Sequence, residues 1–182
     1  MEFIKNYFET KGAVFIISQL IGFVAAAILL LSFQQRTHRR IVAMQACSGL
    51  LFAIQYLMIG AYAGMAGNLV GVIRSLVFMQ RGKSKFADSI ACPIVFAVIA
   101  AISGIITYEK PISLLPMAAM MISSFVMWSP KTQKLRALTM PTSAMWLVYN
   151  IIEKSYAGTA TEIFNLLSII IALIRFRKKK TK

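Results

Sequence analysis

Residues 61–78 read AYAGMAGNLVGVIRSLVF, and residues 155–173 read SYAGTATEIFNLLSIIIAL. Tyr-Ala-Gly opens both, and Tyr62 and Tyr156 stand 94 residues apart. At the same offset upstream, LFAIQY ending at Tyr56 faces MWLVYN ending at Asn150. Further back, FQQRTHR from Phe33 matches WSPKTQK from Trp128 with a slip of one residue, and the copies close on the basic clusters RGKSK and RFRKKK. The chain therefore reads as a duplicated unit, and each unit holds three apolar runs.

Seven such runs lie at roughly 13–33, 41–60, 62–80, 90–108, 112–128, 136–153 and 157–175, each near the length of about 20 residues that a membrane-crossing helix needs. The composition agrees. Of 182 residues, 58% are hydrophobic and 14% charged, and mean hydropathy is +0.71. A soluble domain carries about a quarter charged residues, so this chain cannot cover its surface with polar groups. Backbone in lipid must satisfy its own hydrogen bonds, which makes the runs helices. The predicted fold is an all-α integral membrane protein of seven transmembrane helices, in which two parallel three-helix repeats are joined by a linker helix. Its segments are an interfacial stretch at 1–12, the first repeat at 13–80, a loop with the linker helix at 81–111, the second repeat at 112–176 and a basic tail at 177–182. In the first segment Phe3, Ile4, Tyr7 and Phe8 share one helical face, which suits the membrane interface.

The net charge of +14 would suggest nucleic-acid binding in a soluble protein. Here the basic residues cluster between the runs, and topology explains them. Of 20 Lys and Arg, 15 fall in the 1–2, 3–4 and 5–6 connections and the tail; Lys5, Lys11, Lys110 and Lys154 fall on the other side, and Arg74 is the remainder. The positive-inside rule then sets the N-terminus outside and the C-terminus in the cytoplasm. Anionic headgroups are the expected partners of the basic clusters; the sequence also leaves room for a homo-oligomer.

Candidate function lies on the helix faces. On the third run Gly64, Gly67, Asn68, Gly71 and Ser75 share a stripe, and Gly67 with Gly71 forms a G-x-x-x-G that lets helices approach closely. The repeat sets Gly158, Thr161, Glu162 and Asn165 on the matching face of the seventh. The second run adds Gln45, Ser48, Gly49, Gln55 and Tyr56, and the sixth adds Thr142, Ser143, Trp146, Tyr149 and Asn150. Gln45, Ser48, Thr142 and Ser143 read as interhelical hydrogen bonds. Asn68, Glu162 and Asn165 fit either packing or a solute pathway. Glu162 is a candidate proton acceptor or cation ligand, unless it is wetted from outside. Arg74 either snorkels to headgroups, pairs with interior carbonyls or meets an anionic solute. Pro116 and Pro141 are expected to interrupt the fifth and sixth helices. Cys47 and Cys92 read as small buried hydrophobes, and with one histidine, His38, no metal or cofactor site and no catalytic constellation is expected.

The stretch SFQQRTHRRIVAMQACSGLLFAIQYLMIGAYAGMAGNLVGVIRSLVF, residues 32–78, resembles the YgjV-type family of bacterial inner-membrane proteins, and the similarity runs through nearly the whole chain. More distantly, the 3+1+3 layout resembles the PQ-loop and SWEET-type transporters of small solutes. That resemblance implies an asparagine facing the solute on the third helix of each repeat, a place that Asn68 fits and that Glu162, followed by Asn165, takes in the second copy. The Pro-Gln pair is replaced by Gln34-Gln35 and by Ser129-Pro130-Lys131, a departure from the proline-hinge mechanism, and the glutamate argues against a sugar. The expected function is alternating-access transport of a small polar or anionic solute. The alternative is a non-transporting accessory, sensor or lipid-binding scaffold.

Overall fold

The computed structural model describes the backbone of residues 2–32, 38–128 and 132–177, and the side chains of 12–32, 43–128 and 138–171. Among the described residues it is all helix and turn. The long helices are α1 (Glu2–Ser32), α2 (His38–Met58), α3 (Tyr62–Phe78), α5 (Ala91–Ile106), α6 (Leu114–Trp128), α7 (Thr132–Ile152) and α8 (Tyr156–Arg177), and α4 (Lys85–Asp88) is one turn long. They occupy the seven apolar runs. Gly12–Ser32 and Pro111–Trp128, with mean hydropathies of 2.7 and 1.6, have the length and composition to cross a membrane; the other apolar helices are shorter.

The bundle is apolar outside and polar inside. Ile16, Leu20, Phe23 and Val24 on α1, Ile105 and Ile106 on α5, and Leu167 and Ile171 on α8 are all about half exposed or more, while Ser18, Gln19, Ser48, Gln55, Ser124, Asn150 and Ser155 are buried. In water this arrangement would strand apolar surface; in lipid it leaves the polar groups the task of joining helices.

Helix α2 packs between α1 and α3, and α7 between α6 and α8. Across these triplets α1 packs on α8 and α3 on α6, and α5 lies against α3 and α6. The α2–α3 and α7–α8 turns share one geometry. The amide of Ala61 donates to Tyr56 O at 2.8 Å and that of Gly60 to Leu57 O at 3.2 Å. Ser155 donates to Asn150 O at 2.9 Å and Lys154 to Ile151 O at 3.3 Å. Each is a Schellman-type end, which needs one left-handed residue to turn the chain and satisfy the last carbonyls. Gly60 supplies it at φ 77°, and Lys154 supplies it at φ 57°.

Helix α1 runs without a break from the expected interfacial stretch into the first run. Two expectations change. Pro116 does not interrupt a helix: it is the third residue of α6, where no earlier intrahelical carbonyl awaits its missing N–H. Pro141 does lie inside α7. Cys92 is buried, but Cys47 is exposed on the outer face of α2, where a thiol meets no packing demand. The side chains of Phe3, Ile4, Tyr7 and Phe8, of the cluster at 36–40 with His38, of Lys131, Lys134 and Arg136, and of the basic tail lie outside the described residues.

Candidate functional site

The stripes read from the sequence converge on one cavity of about 200 Å³. Asn68, Gly67, Gly71, Arg74 and Ser75 enter it from α3, Gln45, Ser48 and Tyr56 from α2, Trp146 and Asn150 from α7, and Gly158, Thr161 and Glu162 from α8. Leu29 of α1 and Met120 of α6 complete the wall.

Toward the α2–α3 and α7–α8 turns the cavity is closed by a dry layer. Tyr56 Oη donates to Asn150 Oδ1 at 2.5 Å, and the Gly64 amide donates to Tyr149 Oη at 2.9 Å. Gln55 Nε2 donates to Ser155 Oγ at 3.1 Å, and Ser155 Oγ lies 3.3 Å from Gln55 Oε1. Gln19 extends the network: its Oε1 accepts from the Tyr156 amide at 3.0 Å, and its Nε2 donates to Lys154 O at 3.1 Å. Tyr56, Tyr149, Gln55, Asn150 and Ser155 are all at most 2% exposed, so no water can substitute for these bonds. The rings of Tyr56, Tyr149 and Trp146 gather with centroids 5.9–6.1 Å apart.

This packing depends on glycines: a Cβ on Gly22 would stand 2.6 Å from Gln55 Cδ, and Gly64 and Gly158 are as tight. A Cβ on Gly64 would stand 2.8 Å from Tyr56 Cδ1 and 2.9 Å from Tyr149 Cε1, and one on Gly158 would stand 2.8 Å from Asn150 Cγ. The G-x-x-x-G of Gly67 and Gly71 works differently from expectation. A Cβ on Gly67 would stand 3.2 Å from the Trp146 ring and one on Gly71 3.3 Å from Met120 Cε, so the pair forms a groove for side chains rather than a contact between backbones.

Arg74 turns inward and does not snorkel. It is 5% exposed, and its Nη1 donates to Ser123 Oγ at 2.6 Å, Ser124 Oγ at 3.2 Å and Met120 O at 3.3 Å, while Nη2 lies 3.2 Å from Met127 Sδ. Its Nε has no partner. Glu162 lines the same cavity with Oε2 unpartnered, and Ser143 and Asn165 lie within hydrogen-bonding reach of its carboxyl. Asn68 Nδ2 donates to Gly64 O at 2.9 Å. The ion pairs among the described residues are Arg81–Asp88 and Lys110–Glu153, and neither involves this cavity. Those residues also hold no group of three His, Cys, Asp or Glu suited to a metal.

Of the expected site residues, Tyr56, Asn68, Arg74, Trp146, Asn150 and Glu162 meet at the cavity. Gln55, Tyr149 and Gly64 belong to the closing layer, and Asn165 supports Glu162. The sequence reading missed Gln19, Ser155 and the Ser123–Ser124 pair. Gln19 had a signal, as a long amide in the most apolar run; the serines stood among methionines, and nothing local tied them to Arg74.

Residues 16–180 match the family model described as Imp-YgjV, bacterial inner membrane protein. The chain belongs to this family. It is similar to the inner membrane protein YgjV of Escherichia coli (strain K12), with 22% identity over 160 residues that cover 88% of this chain and 84% of that protein. No solved structure matches it. The apolar exterior is thus the surface of a bacterial inner-membrane protein.

Proposed function

We propose that this chain is a small-solute transporter or facilitator working by alternating access between two parallel three-helix repeats, α1–α3 and α6–α8, linked through α4 and α5. The observation that carries the reading is the cavity between them, where Asn68 and Glu162, equivalent at the 94-residue offset, both reach the same space. Several pairs support the duplication. Gly60 and Lys154 hold the left-handed place in equivalent turns, Tyr56 bonds its own equivalent Asn150, and the α1–α8 contact mirrors the α3–α6 contact. Parallel repeats about an axis along the membrane normal recur in transporters, with solute sites at the repeat interface.

With the positive-inside orientation the two equivalent turns face outward, and the layer from Tyr56 to Ser155 is a closed outer gate. The basic clusters then contact anionic cytoplasmic headgroups. The test is solute uptake by the purified protein in proteoliposomes. Uptake that falls in Asn68→Ala and Glu162→Gln supports the reading; uptake indifferent to both removes the cavity from the pathway. Binding without flux would favour a sensor or accessory protein.

A further inference from the structure

Arg74 and Glu162 pose a problem of charge. A guanidinium stays protonated in proteins, yet Arg74 is surrounded by hydroxyls, a carbonyl and a thioether, with no carboxylate paired to it. Neutral dipoles satisfy Nη1, but Nε–H remains without an acceptor. On the same cavity Glu162 Oε2 is without a donor. A buried charge is costly unless it is paired and hydrogen-bonded. The two charged groups could neutralise each other, and the fold keeps them apart: they form no ion pair.

We propose that the cavity binds a small zwitterion of the amino-acid class, its anionic group on Arg74 and its ammonium on Glu162 with Asn68; this rests on reading the cavity as a solute site. The lining fits: a basic and an acidic side chain, each with one buried polar atom left without a partner, face the same cavity. Size fits as well. A cavity of about 150 Å³ accepts benzene, so one of about 200 Å³ suits a solute of modest side-chain size. Trp146, Met120, Phe52 and Leu29 supply the apolar wall that such a side chain would cover.

The experiment is binding to the wild-type protein in detergent, by thermal shift and calorimetry, of matched triplets: an amino acid, the carboxylic acid lacking its amine, and the amine lacking its carboxylate. A neutral sugar completes the set. Because the ligand is truncated instead of the protein, a misfolded variant cannot confuse the result. The expected outcome is binding of the amino acid, weakened about tenfold or more by loss of either charged group. Glu162→Gln should then abolish the preference for the amino acid over the acid, and Arg74→Lys, which keeps the charge, should retain weakened binding. An acid that binds as well as the amino acid, or a sugar that binds better, overturns the zwitterion while leaving a solute site. A folded protein that binds none of them overturns the solute site too, and the proposed transport with it.

Discussion

The bond from Tyr56 to Asn150 joins α2 to α7 across the two helix triplets, and a double-mutant cycle on it tests whether the closing layer holds them together. Tyr56→Phe removes the donor and leaves the ring in place. The Asn150 oxygen it abandons is buried on a residue 1% exposed, so no water replaces the hydroxyl. In soluble proteins an orphaned buried acceptor costs about 1–3 kcal/mol. Interhelical bonds in membrane proteins average about 0.6 and reach about 1.7 kcal/mol, because the unfolded chain in detergent also finds partners. A bond between two partners that are both at most 2% exposed should stand toward the upper end, so the coupling expected is about 1–1.5 kcal/mol. Asn150→Leu removes the acceptor at similar volume, and the double variant restores an apolar match. Unfolding by denaturant in mixed micelles measures all four proteins. Single losses that add within about 0.5 kcal/mol in the double variant would show that the pair does not hold the layer, and the proposed outer gate would lose its principal latch.

The glycines give a graded series: Gly64→Ala and Gly158→Ala push a methyl into buried groups at 2.7–2.9 Å and should each cost about 1–3 kcal/mol, whereas Gly71→Ala meets only the flexible Met120 Cε at 3.3 Å and should cost far less in thermal melts. Lys154→Gly should raise stability by about 0.5–1 kcal/mol, since a left-handed non-glycine residue at φ 57° is disfavoured by about 1–2 kcal/mol, partly offset by the freer unfolded glycine; a lowered melting temperature would refute the turn geometry. At the opposite end Arg81 bonds the Trp128 carbonyl, stacks 4.8 Å over its ring and pairs with Asp88 at 3.9 Å, while Trp128 Nε1 donates to Ala87 O at 3.1 Å. Arg81→Ala should cost only about 1 kcal/mol because the pair is partly exposed, and faster amide exchange across 82–90 is the sharper readout.

The placement of the long helices was legible because each apolar run is long enough to pair its backbone within itself, as a lipid surround requires. The cavity residues were legible for a related reason. A polar group in such a run tends to face protein, so periodicity and the repeat set Asn68, Tyr56, Asn150 and Glu162 on polar stripes, while Arg74 stayed open between headgroups and interior until the structure turned it inward. What periodicity cannot give is the partner. Ser123 and Ser124 carry no mark of Arg74, because their hydroxyls are small enough to bond their own helix: both donate to Met120 O, at 3.0 and 2.8 Å, as serines in any helix do. Only the approach of α3 to α6 makes their lone pairs an arginine site. Gln19 stood out as an amide in an apolar run, but its partners, the Tyr156 amide and the Lys154 carbonyl, lie more than 130 residues away and carried no mark of it. The G-x-x-x-G misled because small residues signal an empty space and not its occupant. At Gly67 and Gly71 the occupants are Trp146 and Met120, walls of a chamber instead of another backbone. Small residues that admit side chains stand here beside Arg74 Nε and Glu162 Oε2, the buried side-chain atoms left without partners among the described residues.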